Sequence, residues 1–179
     1  MAGMEALGRL FDASIGYLNI DLNTSGATGK RVSLKNATGV SILCIVPATA
    51  ATEDLTFDVQ QHTASTAGTS ADLDNTGVAG SRGIDHFYIK SATTLAGTET
   101  WARVAQTEAS EVVVSGATYG ASQCLVLIEV SASQLADGYS YVSVISPDPG
   151  STARVVSVVY LLHDLAVQRR PANLAAALA

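Results

Sequence analysis

The feature that most constrains this chain is its hydrophobic period. Short runs of Val, Ile, Leu, Phe and Tyr alternate with Ser, Thr and charged residues, and Gly, Asn, Asp or Pro separates one run from the next. No stretch sustains the i, i+3, i+4 spacing of a long amphipathic helix. A two-residue period instead turns one side of a strand to a core and the other to water. A chain written this way predicts an all-β sandwich or barrel.

The stretch from Gly29 to Pro47 shows the pattern most fully. Val32 and Leu34 alternate with Arg31, Ser33 and Lys35, as in a half-buried strand. Asn36 to Gly39 supplies turn chemistry, because Asn and Gly tolerate positive φ. Val40 to Val46 is a near-continuous apolar run, which predicts a strand buried on both faces. Pro47 stops it, since proline cannot donate to a ladder. The same grammar predicts strands at Tyr17–Leu22, Leu55–His62, His86–Lys90, Trp101–Ala105, Glu111–Val114, Tyr139–Ser146 and Arg154–His163. Gln123 to Val130 is the strongest run and is expected at the centre. Ser131 to Gly138 reads as one helical turn, capped by Ser131 and ended by Gly138.

These runs give about nine short strands in a single-domain β-sandwich over residues 17–163. A jelly-roll-like arrangement suits their number and length. An immunoglobulin-like sandwich is the second arrangement, but Trp101 does not lie between suitably bridged cysteines. Residues 63–85 are almost wholly small or polar and predict a long exposed loop, with Leu73, Val78 and Ile84 as anchors. Residues 1–16 read as an extended N-terminal arm in which Ala6, Leu7, Leu10 and Phe11 share one short helical face. Residues 164–179 read as a C-terminal tail. Such ends either fray or clamp a neighbouring subunit. The candidate contact residues are Leu7, Leu10 and Phe11 at one end and Arg169, Arg170 and Leu174 at the other.

Composition narrows the function. A chain of 179 residues fits one domain with a real core. Only 15% of residues are charged, against about 25% in an ordinary domain. That leaves a neutral, small-residued surface, as in a protein that packs against other subunits or simply in a low-charge β-protein. The net charge is −6 and the basic residues are scattered, which excludes a phosphate-tracking nucleic-acid surface. Cys44 and Cys124 each sit inside an apolar strand and read as free thiols, as in a reducing cytosol. No apolar run reaches the ~18 residues of a membrane span. The first residues lack the basic and apolar regions of a signal peptide.

No constellation for catalysis, a cofactor or a metal emerges. His62, His86 and His163 are far apart in sequence and offer no close ligand pair. Asp72-Leu73-Asp74-Asn75-Thr76-Gly77 opens like a calcium loop, but Gly83 stands where the bidentate Glu belongs. No nucleophile elbow, phosphate loop or dinucleotide fingerprint occurs, so the chain reads as a non-enzyme.

Five segments in order carry a family resemblance. They are Gly29–Asn36, Leu55–Gln61, Trp101–Gln106, Leu125–Val130 and Val158–His163. Together they resemble small head, capsid-decoration or minor structural proteins of tailed bacteriophages, over roughly residues 29–164. The resemblance implies a compact β-protein, made in the bacterial host cytoplasm, that oligomerises, commonly as a trimer, on the outside of the virion shell. Its partners would be the major capsid protein and further copies of itself, with no nucleic acid and no membrane. Two other classes stay open: a tail, baseplate or head-tail connector subunit, and a carbohydrate-binding or host-adhesion module using Trp101, Tyr139 and Tyr141.

Overall fold

The computed structural model describes residues 5–50, 52–73, 80, 82–150 and 152–178. In chain order its strands are β1 (Phe11–Asp21), β2 (Ala27–Thr28), β3 (Val32–Ser33), β4 (Ala37–Val46), β5 (Leu55–His62), β6 (Ser70–Asp72), β7 (Ile84–Ala92), β8 (Ala102–Ala109), β9 (Glu111–Val114), β10 (Gln123–Ser131), β11 (Tyr141–Ser146) and β12 (Val155–Leu165). One antiparallel sheet has the order β1-β12-β4-β10-β7-β8. In the other, β2 and β3 pair with the two ends of one edge of β11. β11 pairs with β5, whose far edge takes β9 and then β6.

This connectivity is a jelly roll. If β2 and β3 are counted as one broken strand, then β1, β2/β3, β4, β5, β6, β10, β11 and β12 are strands one to eight. The sheets then run one-eight-three-six and two-seven-four-five. The β7–β8 hairpin widens the first sheet beside β10, and β9 lies end to end with β6. The expected strand count rises from about nine to twelve. The reason is that β2 and β6 are too short to show a period; the strand expected over Arg31–Lys35 is only Val32–Ser33, and both of its residues are buried because the tail from Ala177 closes over its free side.

The core lies between the inward faces. Val40, Ile42 and Cys44 of β4, Val126 and Ile128 of β10, and Val158 and Tyr160 of β12 are almost fully buried. They meet Leu55, Phe57 and Val59 of β5 and Val142 and Val144 of β11. Burying each such side chain contributes about 1.5–3 kcal/mol. Tyr160 ties the sheets together, its hydroxyl accepting the Val144 N–H at 3.0 Å. Gly29 makes room for it: a Cβ there would lie 2.6 Å from the Tyr160 hydroxyl and 2.8 Å from the Val144 carbonyl. Burial pushes the phenol of Tyr160 and the thiol of Cys44 up, so both stay neutral. Both cysteines are free and buried.

Several sequence expectations are corrected. β1 begins at Phe11, so the expected arm boundary after residue 16 falls inside a strand paired with His163–Val159. Its expected alternation fails because the register shifts at Gly16 and again before Ile20, where Asn19 takes φ 55°. A bulge re-aims every side chain beyond it; Tyr17 and Leu22 are buried while Leu18 and Ile20 are exposed. The expected helical face at the N-terminus is one turn closed by Arg9 and Leu10 N–H groups on Ala6, broken where Gly8 adopts φ 80°.

β4 starts two residues before the expected end of its turn. Gly39 is there for close approach, since a Cβ would meet His163 Cε1 at 2.8 Å and the Val130 carbonyl at 2.9 Å. β4 is also buried on one face only: Leu43 is half-buried and Ile45 is 41% exposed. The 63–85 loop contains β6, held because Gln60 reaches Asp72 at 2.6 Å. Leu73 and Ile84 are buried anchors, whereas Val78 and residues Asp74 to Gly77 lie outside the described residues. The tail from Ala166 folds back on the domain.

Candidate interaction site

The two ends of the chain meet at one end of the sandwich. The Arg169 N–H donates to the Gly8 carbonyl at 2.8 Å, and the Asp164 N–H donates to Leu10 at 3.1 Å. Asn36 anchors the returning tail. Its carbonyl takes the Ala166 N–H at 3.0 Å and its side-chain oxygen takes the Val167 N–H at 2.8 Å. Further on, the Ala177 carbonyl accepts the Ser33 N–H at 2.8 Å, capping the free side of β3. Leu174 and Ala177 pack on the core.

This closure brings Leu7, Phe11, Arg169 and Leu174 together, with Leu10 and Arg170 adjoining. Leu7 bridges to Phe11 within a tight turn. A Cβ on Gly8 would collide with the Arg169 carbonyl and lie 3.4 Å from Leu174 Cδ2. Leu10 is 63% exposed, and Arg9, Arg169 and Arg170 are exposed beside it. The result is an end of the domain where exposed Leu7 and Leu10 share the surface with three exposed arginines. Acidic residues share this end of the domain: Glu5 beside Leu7, Asp12 and Asp164. Hydrogen bonds from His163 and Thr38 hold the Asp164 carboxyl below its usual range.

The three histidines take different roles. His62 lies on the outward side of the β5–β11 sheet, yet the loop after β5 covers it. Arg31 pins that loop by donating to the carbonyls of Ala64 and Ala67 at 2.8 and 2.6 Å. The His62 ring bonds Ser70 at 2.7 Å and Ser143 at 2.8 Å. Burial, with Arg31 second, lowers its pKa to about 4. His86 pairs with Asp85, and His163 pairs with Asp164 at 3.0 Å, on the walls of a cleft of about 450 Å³. Among the described residues, no group of three or more His, Cys, Asp or Glu side chains is placed to hold a metal ion.

The aromatic residues considered for a sugar site do not converge. Trp101 lies beside β8 with Lys90 Nζ 4.9 Å from its ring, whereas Tyr141 is buried in the other sheet against Lys35.

Sequence reading missed one surface, the outward face of the β1-β12-β4-β10-β7-β8 sheet. One row in register across it reads Ile15, Val159, Leu43, Leu127, Tyr88, Arg103. The next reads Ser157, Ile45, Leu125, Lys90. The continuous apolar character of β4, β10 and β12 was a signal for it, but it equally fits a strand covered on both sides.

Comparison with protein-family models, with curated proteins and with solved structures found no match to this chain.

Proposed function

We propose that this chain is a non-enzymatic structural protein of a tailed-phage virion, made in the bacterial cytoplasm, that decorates the assembled head and stabilises it. The observation that carries the reading is the closure of both chain ends into one exposed patch on a jelly roll. The fold is one used by viral capsid proteins, though lectins and cupins share it. Exposed Leu7 and Leu10 beside Arg9, Arg169 and Arg170 have the composition of a protein-binding surface. The partner on this reading is the major capsid protein. A ligand that binds only the assembled shell shifts the assembly equilibrium toward it by mass action.

The test is co-sedimentation with empty heads of the virus that encodes the chain. Deleting residues 1–10 leaves β1 intact, so the truncated protein should keep its circular dichroism spectrum and lose most of its binding. A truncated protein that still co-sediments fully would remove the terminal patch from the account. Wild-type protein that stays in the supernatant would move the reading to a tail, baseplate or connector subunit.

A further inference from the structure

The outward faces of the two sheets are finished differently. On the β5–β11 sheet the outward residues of β5 are polar, and the chain's own loop covers His62, Gln60 and Ser143, while Val113 of β9 is exposed farther along. On the β1-β12-β4-β10-β7-β8 sheet the outward face is left open at its centre among the described residues, flanked by Leu95 beside Ile45 and by Trp101 beside Lys90. Its centre, formed by Leu43, Ile45, Leu125 and Leu127, is only partly buried. Lys90 and Arg103 occupy the β7–β8 corner, and Glu129 sits in the row on the opposite side of the apolar centre, paired with Ser41.

We propose that this face binds a second copy of the chain, the two copies being related by a two-fold axis that lies between the paired faces. A two-fold interface requires one surface to complement itself. An axis through the apolar centre, oblique to the strands, does this. It packs the four leucine and isoleucine residues on their counterparts and sets Lys90 and Arg103 of each copy toward Glu129 of the other. The chain carries −6 overall, and the strands of this face place Lys90 and Arg103 on one side of the apolar centre and Glu129 on the other, with Glu99 close to Lys90 and Asp85 close to Arg103; a surface of both signs favours a like face over a uniformly charged partner.

Size agrees with this occupant. Six strands about 4.8 Å apart and about eight residues long give a face of roughly 24 by 26 Å, about 600 Å² in projection. With side-chain relief that approaches the ~800 Å² per partner of a standard interface. Sheets stacked this way lie about 10 Å apart, as in the core of a sandwich. The copy number is two, where the phage resemblance implies three. The inference does not rest on the virion reading, because it concerns the free protein.

The test is light scattering coupled to size-exclusion chromatography over a dilution series, followed by a charge exchange. The wild type should run at twice 18.4 kDa. Lys90→Glu with Arg103→Glu should weaken the dimer roughly tenfold or more, and adding Glu129→Lys should restore it. These side chains lie on the surface, so the fold should survive, as circular dichroism will report. Leu127→Lys should give monomer independently of the charge pairs. A monomeric wild type, a trimer or ring, or a dimer indifferent to both Leu127→Lys and the charge exchange would overturn the proposal.

Discussion

Lowering the pH should destabilise this protein through one residue, His62. Its pKa falls from 6.5 to about 4 on folding, because burial and then the Arg31 guanidinium disfavour the imidazolium. The unfolded imidazole therefore takes up a proton first as pH drops. Between pH 6.5 and pH 4 the unfolded state holds more protons, so stability is fully present above pH 6.5 and is lost progressively toward pH 4. A shift of this size corresponds to a ceiling of about 3 kcal/mol, of which about 2 kcal/mol is lost between pH 7 and pH 5. Asp58 acts in the opposite sense: burial raises its carboxyl pKa, so its ionisation opposes folding and that cost fades on acidification. The assay is urea unfolding of the wild type and of His62→Gln at pH 7 and pH 5. Asp58 is common to both proteins, and the wild type should lose about 2 kcal/mol more than the variant over that interval. Equal losses, or a histidine titration by NMR that places His62 near 6.5, would refute the reasoning.

Other perturbations have equally specific outcomes. Gly8→Ala puts a side chain at φ 80° against the Arg169 carbonyl; it should release the tail, so that trypsin cuts after Arg169 much faster while the core resists, the Arg170–Pro171 bond staying uncut because of the proline. Tyr160→Phe strands the buried Val144 N–H and should cost about 1–3 kcal/mol in urea unfolding, with no change of fold by circular dichroism. Gly39→Ala places a Cβ 2.8 Å from His163 Cε1 and 2.9 Å from the Val130 carbonyl. It should cost about 1–3 kcal/mol, and only part of that should return in the double variant with His163→Ala, since the carbonyl contact remains.

The fold was legible where a strand is long and half-buried. Leu55, Phe57 and Val59 alternate inward as their spacing requires, and Val142 and Val144 do the same. The Ser131 cap closes a short 3-10 turn with Gln134 in a capping box, but the turn ends at Leu135, which goes extended to bury its side chain, and not at Gly138 as its sequence suggests. It was illegible where tertiary contacts set the geometry. Gly39 looked like a turn residue because nothing local records the His163 ring and the Val130 carbonyl that press on it. Leu18 and Ile20 looked inward-facing because a bulge leaves no mark on composition. The same limit applies to the site. Leu7, Leu10, Phe11, Arg169, Arg170 and Leu174 stand out as terminal apolar and cationic residues, but their meeting depends on backbone bonds between Gly8 and Arg169. The outward face of the β4–β10–β12 sheet was missed because an apolar strand reads alike whether its second side is covered or open.

The central claim is that this chain stabilises an assembled shell. The most direct measurement is the thermal disassembly midpoint of empty phage heads, followed by light scattering while the purified chain is titrated in. Mass action predicts that the midpoint climbs with the concentration of added protein and levels off when the sites fill, and that protein lacking residues 1–10 raises it much less. A midpoint that does not move at any concentration would contradict the claim.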